Sequence, residues 1–205
     1  IAEPQARLLV LVGDPGSGKS TFANYLTFLL ADAQVFGHSP DLPESLKSLL
    51  PVRLVLRQAA KFLPTNSSKG SARMLWQAFF AEITERIGQA AAAQLIPHLQ
   101  TRLSEHGGLF LLDGLDEVPD ADRRRKCLLE AVNDLARGLP SQSRVLLTAR
   151  PYAYADPKWR LPNFQLLVLA PFDEDQANRF IERWYQAVRM VMGWDVATAR
   201  ERGTR

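Results

Sequence analysis

Gly13-Asp14-Pro15-Gly16-Ser17-Gly18-Lys19-Ser20 has the residue types and spacing of a phosphate cradle. The run fits G-x-x-x-x-G-K-[ST] and lies between a short apolar segment and a stretch of helical period. Its glycines let the backbone wrap closely around phosphate oxygens and aim consecutive N–H groups inward. The helix that follows turns its positive end toward the same charge. Lys19 is placed to reach the β and γ phosphates, the Ser20 hydroxyl to ligate magnesium, and Thr21 to assist at the α phosphate. A glycine-rich turn with no ligand would account for the glycines, but not for a lysine and a hydroxyl in those two slots.

Leu109-Phe110-Leu111-Leu112-Asp113-Gly114-Leu115-Asp116-Glu117 is an apolar strand pattern ending in carboxylates. Ligands of open α/β sheets bind at the carboxyl ends of the strands, which places Asp113 to hold the magnesium shell. Gly114 stands where many P-loop ATPases carry a second carboxylate, so, if hydrolysis occurs, either Asp116 or Glu117 must orient or deprotonate the attacking water. Glu117 is the favoured base, with Asp116 completing the metal's outer shell beside Asp113. A solvated acidic turn before Pro119 is the plainer alternative for the pair.

Val145-Leu146-Leu147-Thr148-Ala149-Arg150-Pro151 brings a polar residue and then an arginine to the end of another apolar strand. Arg150 is there able to stabilise charge on a γ phosphate, although pairing with a surface carboxylate would also suit it. His38, His98 and His106 are scattered without ligand spacing, which disfavours a zinc site.

The elements that must position these groups can be read from periodicity. Five apolar runs, Leu8–Val12, Val52–Leu56, Leu109–Leu112, Val145–Leu147 and Leu166–Leu169, suit strands buried on both faces. Between them Phe22, Leu26 and Leu29, then Leu75, Phe79, Ile83 and Ile87, then Leu95, Leu99 and Leu103, then Leu128, Val132 and Leu135 repeat with helical period. Pro97 should open a helix, splitting 71–103 in two. Polar, turn-rich stretches at 38–43 and 64–70 should be surface loops. The basic run Arg123–Lys126 should be a solvated helix face, with Cys127 a buried thiol beside it. Asp173 and Gln176 have the spacing of a capping box for a further helix carrying Phe180, Ile181 and Trp184.

Composition bounds the function. The 205 residues, 46% hydrophobic, allow one sizeable core plus an appendage. No apolar stretch approaches the roughly 20 residues of a membrane span, so a cytoplasmic protein without membrane contact is expected. The net charge of +3 is spread along the chain rather than gathered in a stripe, which makes nucleic-acid binding unlikely. A start at Ile1 and a polar end at Arg205 read as an excised segment of a larger protein.

In Asp113-Gly114-Leu115-Asp116-Glu117, taken with Thr148-Ala149-Arg150-Pro151 and Leu169-Ala170-Pro171-Phe172, the chain resembles the NACHT family of the STAND class of signal-transduction ATPases. The resemblance spans roughly residues 7 to 185. With the strand and helix pattern, it implies an α/β, three-layer P-loop NTPase fold with a mainly parallel five-stranded sheet, followed by the start of a small helical domain. The nucleotide-binding part would occupy 1–172, and a truncated helical appendage with a polar tail 173–205. It further implies an ADP-bound inactive monomer and an ATP-bound homo-oligomer of the full-length protein, with effector and sensor domains outside this segment. In related proteins a later winged-helix domain contributes a histidine to the phosphates, and its absence here would weaken nucleotide trapping.

The leading expectation is therefore an ATP/ADP-binding regulatory switch with slow magnesium-dependent ATP hydrolysis. Gly13 to Thr21 bind phosphates, Ser20 and Asp113 hold magnesium, Glu117 positions water and Arg150 senses the γ phosphate. The alternatives are a mechanical AAA-type ATPase and a non-catalytic scaffold stabilised by nucleotide.

Overall fold

The computed structural model describes residues 6–37, 42–62, 69–118 and 123–192. The loops expected at 38–43 and 64–70 fall largely outside these segments, as does the acidic start expected for the helix after Asp120.

The chain alternates strands and helices. The strands are β1 (Leu8–Val12), β2 (Leu50–Val55), β3 (Gly108–Asp113), β4 (Arg144–Ala149) and β5 (Gln165–Val168). The α-helices are α1 (Lys19–Phe36), α2 (Glu44–Lys47), α3 (Leu56–Ala59), α4 (Ala72–Ile87), α5 (Gln89–His106), α6 (Arg123–Gly138), α7 (Pro151–Ala155) and α8 (Glu174–Met192). All strand pairs are parallel, in the order β2-β3-β4-β1-β5.

Strand alternation builds the three layers. Val10, Val12, Val52, Leu54, Phe110, Leu112, Val145 and Leu147 bury one face of the sheet together with Leu75 of α4 and Leu128, Val132 and Leu135 of α6. Leu9, Leu11, Leu109, Leu111 and Leu146 bury the other against Leu26 and Leu30 of α1. Because β3, β4 and β1 are neighbours and run the same way, their carboxyl ends open at one place. That common edge is where the loop after β1, Asp113 and Arg150 meet.

Some expectations are corrected. β5 is not buried on both faces: at this edge of the sheet Leu166, Leu167 and Val168 are 51, 40 and 71% exposed. Helices α4 and α5 do separate, but at Gly88 (φ 81°), while Pro97 lies inside α5. The proline is tolerated there because Ala93, whose carbonyl loses its usual donor, is solvent-exposed. Within Arg123–Lys126 the helix turns one residue inward: Arg125 is buried, its guanidinium 5.6 Å from the centre of the Trp159 ring. Cys127 is buried, as the apolar neighbours implied.

The chain divides into two compact units, 1–169 and 170–205. In the second, the Asp173 N–H donates to Gln176 Oε1 (3.1 Å) and the Gln176 N–H to Asp173 Oδ1 (2.7 Å), the reciprocal capping box that starts α8. No helix of the described residues is long and apolar enough to cross a membrane.

Candidate functional site

The site is assembled from three strand ends. After β1 the chain turns at Gly13, whose N–H donates to Ala149 O (3.3 Å) and so ties the loop to the end of β4. A side chain at Gly13 would meet Ser17 Oγ at 2.7 Å and Leu169 Cβ at 3.2 Å, so Ser17 would have to turn away to admit one. Gly16 (φ 77°) and Gly18 (φ 91°) are required for a different reason. Added carbons there would meet nothing within 4 Å, but the left-handed conformation costs other residues about 1–2 kcal/mol each. Gly18 then starts α1, so Lys19 and Ser20 stand on its first turn. Lys19 Nζ reaches back across the loop to Gly13 O (2.6 Å), Asp14 O (2.9 Å) and Ser17 Oγ (3.3 Å).

Asp113, buried at the end of β3, is the hub. Its Oδ1 accepts from Ser20 Oγ (3.2 Å) and from Thr148 Oγ1 (2.6 Å), and its Oδ2 accepts from Arg53 (3.0 Å). Thr148, only 2% exposed on β4, also accepts the Gly114 N–H (2.8 Å). One hydroxyl thereby fixes both the carboxylate and the turn that follows it.

That turn explains the order Gly-Leu-Asp-Glu. Gly114 takes φ 84°, and an added carbon there would press on Glu117 Cδ at 3.2 Å. Leu115, fully buried, anchors the short 3-10 turn Leu115–Glu117 in the core. The anchor leaves the two acids with different fates. Glu117 is exposed at the cleft, whereas the side chain of Asp116 is only 5% exposed and both its oxygens are taken by Arg150. The Arg150 N–H donates to Oδ1 (3.0 Å) and its Nε to Oδ2 (2.8 Å). Sequence reasoning aims Asp116 at the metal's outer shell; in the structure it lines the same cleft and its two oxygens contact Arg150.

A cleft of about 230 Å³ joins these groups: Pro15, Gly16, Gly18, Lys19, Ser20 and Thr21 on one side, and Asp113, Gly114, Asp116, Glu117, Thr148 and Arg150 on the other. A larger, mainly apolar cavity of about 520 Å³ lies beside Trp76, Phe80, Leu103 and Leu139. Leu103 and Leu139 precede the starts of β3 and β4, so that cavity sits at the opposite edge of the sheet.

No group of three or more His, Cys, Asp or Glu placed to hold a metal ion by themselves occurs among the described residues. The Ser20 hydroxyl and Asp113 carboxylate nevertheless form an all-oxygen pair beside a phosphate loop. That donor set fits magnesium, which keeps several waters and shares its shell with phosphate.

Two residues of the site escape the sequence reading. Thr148 figures there only as a polar residue at a strand end and as part of Thr148-Ala149-Arg150-Pro151, and Arg53 lies unremarked within the run Val52–Leu56. Polarity at positions otherwise filled by buried apolar residues was the available signal.

A search of curated protein sequences returned no match. The family model described as NACHT domain matches residues 7–188, covering β1 to most of α8. With its five parallel strands, its phosphate loop before α1 and its acidic turn after β3, the chain belongs to the NACHT family of P-loop nucleoside-triphosphatase domains.

Proposed function

We propose that this NTPase domain is an ATP/ADP-dependent regulatory switch of a larger STAND signalling protein, with slow ATP hydrolysis and nucleotide-controlled homo-oligomerisation. Gly13 to Thr21 form the phosphate cradle, and Lys19 exchanges its loop acceptors for phosphate oxygens. Ser20 and Asp113 hold magnesium, which supplies neutralisation of phosphate charge when bound with nucleotide. Glu117 orients water, since it is the acid left exposed at the cleft. Residues 173–205 comprise the start of a helical appendage and a polar tail, and effector and sensor functions lie in other domains.

The observation that carries the reading is the grip of Asp116 on Arg150 at the wall of the phosphate cleft. A switch requires contacts that differ between its two ligands, because equal binding shifts no equilibrium. An arginine held at a fixed place can bond a γ phosphate and has nothing equivalent to bond in ADP. The test is the association state of the full-length protein, followed by sedimentation in magnesium with ADP or with a non-hydrolysable ATP analogue. Larger particles with the analogue, abolished by Arg150→Ala, support the switch. The same size distribution with either nucleotide refutes it.

A further inference from the structure

We infer that Arg53 is a resident countercharge for Asp113 and that it sets how much magnesium nucleotide binding requires. The inference rests on the nucleotide-site reading above and adds to it a residue outside the phosphate loop and the acidic turn.

Arg53 is out of place by composition. It lies in the middle of β2 between Val52 and Leu54, which are 2 and 3% exposed and face the layer of α4 and α6. The pleat turns Arg53 to the opposite face, on which its register partner Leu111 packs against the α1 layer. Asp113 follows two residues later on that same face of β3. The guanidinium reaches along the sheet and bonds Asp113 Oδ2 at 3.0 Å. Its own Nε is buried with no hydrogen-bond partner among the described residues, so the bond to Asp113 is the compensation for a partly desolvated charge. Arg53 does not line the phosphate cleft. Any influence on nucleotide must therefore pass through Asp113, which makes Arg53 a positioning residue.

The two carboxylate oxygens are divided between different tasks. Oδ1 faces Ser20 and Thr148, and Oδ2 faces Arg53. The 2.6 Å bond from Thr148 is short and charge-assisted, so Asp113 keeps its orientation without the arginine. What Arg53 contributes beyond orientation is positive charge on a buried carboxylate, and that charge opposes the arrival of a second cation at Ser20 and Asp113. Magnesium is then admitted only with the added negative charge of nucleotide phosphates, which prevents the metal from binding alone.

Two measurements on the whole chain test this. In the first, calorimetry of ADP binding at graded free magnesium gives the concentration for half-maximal binding. Arg53→Met should lower it by about tenfold, as expected for removing one nearby charge from a partly buried site. Arg53→Gln, which can still hydrogen-bond Asp113 without charge, should do the same and carries the test if the methionine variant does not fold. Arg53→Lys keeps the charge and should stay close to the original chain. Arg86→Met, which loses a surface arginine paired with Glu82, controls for net charge and should leave the concentration unchanged. In the second, magnesium alone, without nucleotide, should raise the melting temperature of Arg53→Gln but not of the original chain. An unmoved or raised magnesium requirement in folded neutral variants overturns the inference while leaving the nucleotide site intact. Failure of the original chain to bind ADP at any magnesium concentration overturns both.

Discussion

Asp116 holds Arg150 by two bonds, from the backbone N–H at 3.0 Å and from Nε at 2.8 Å. The contact joins the turn after β3 to the chain leaving β4, two segments that the sequence separates by 34 residues. One side chain of the site is thus spent on aiming another. The arginine, 38% exposed, lines the phosphate cleft.

Asp116→Ala should free Arg150 and weaken binding of a non-hydrolysable ATP analogue by about tenfold, the loss of a hydrogen bond to a charged group. ADP affinity should be unchanged, because the proposed role of the arginine is to bond the γ phosphate, which ADP lacks. Glu117→Gln should show the converse: both affinities retained, with turnover slowed by about 10²–10⁴-fold, the usual contribution of a general base. Calorimetry and phosphate release on the same samples separate the two acids, and equal losses from both variants would contradict the division of roles.

Thr148→Val replaces a buried hydroxyl that serves Asp113 and Gly114 together. It leaves the Gly114 N–H without its partner and removes the shorter of the two bonds to Asp113 Oδ1, and should cost about 1–3 kcal/mol of unfolding free energy. Urea denaturation measures the cost, and Thr148→Ser should recover most of it. A valine variant as stable as the original would show that the hydroxyl is not needed to satisfy either group.

Gly114→Ala forces a side chain into φ 84° and against Glu117. Backbone strain should lower stability by about 1–2 kcal/mol. Displacement of Glu117 should slow turnover while ADP affinity holds, since Lys19, Ser20 and Asp113 are untouched. A drop in ADP affinity as large as the drop in rate would place Gly114 in the phosphate site rather than in the turn that aims the base.

Much of the scaffold was legible because each signal was local. Continuous apolar runs such as Leu109–Leu112 mark strands covered on both faces, and the phosphate loop and the Asp173–Gln176 box are contiguous in sequence. Local signals failed where a tertiary neighbour decided the outcome. The apolar residues of β5 look like a core strand, but in the structure they are exposed on both faces. Arg125 reads as one of four basic surface residues, yet Trp159 lies 5.6 Å away across the fold. Arg53 and Asp113 are 60 residues apart, and only the register of β2 on β3 shows that they share a face. Asp116 and Glu117 are adjacent and chemically alike, and the buried anchor Leu115 and the position of Arg150 separate them in a way no spacing rule expresses.

The most direct test of the account is the affinity of MgADP and MgATP for the original chain and for Lys19→Ala, measured by calorimetry. Lys19 Nζ lies over the loop within 2.6–3.3 Å of three acceptors, the position from which it would meet phosphate oxygens. The account predicts saturable, magnesium-dependent binding of both nucleotides by the original chain and its loss in a folded Lys19→Ala variant. Equal binding by the two chains would contradict the phosphate site on which every other assignment depends.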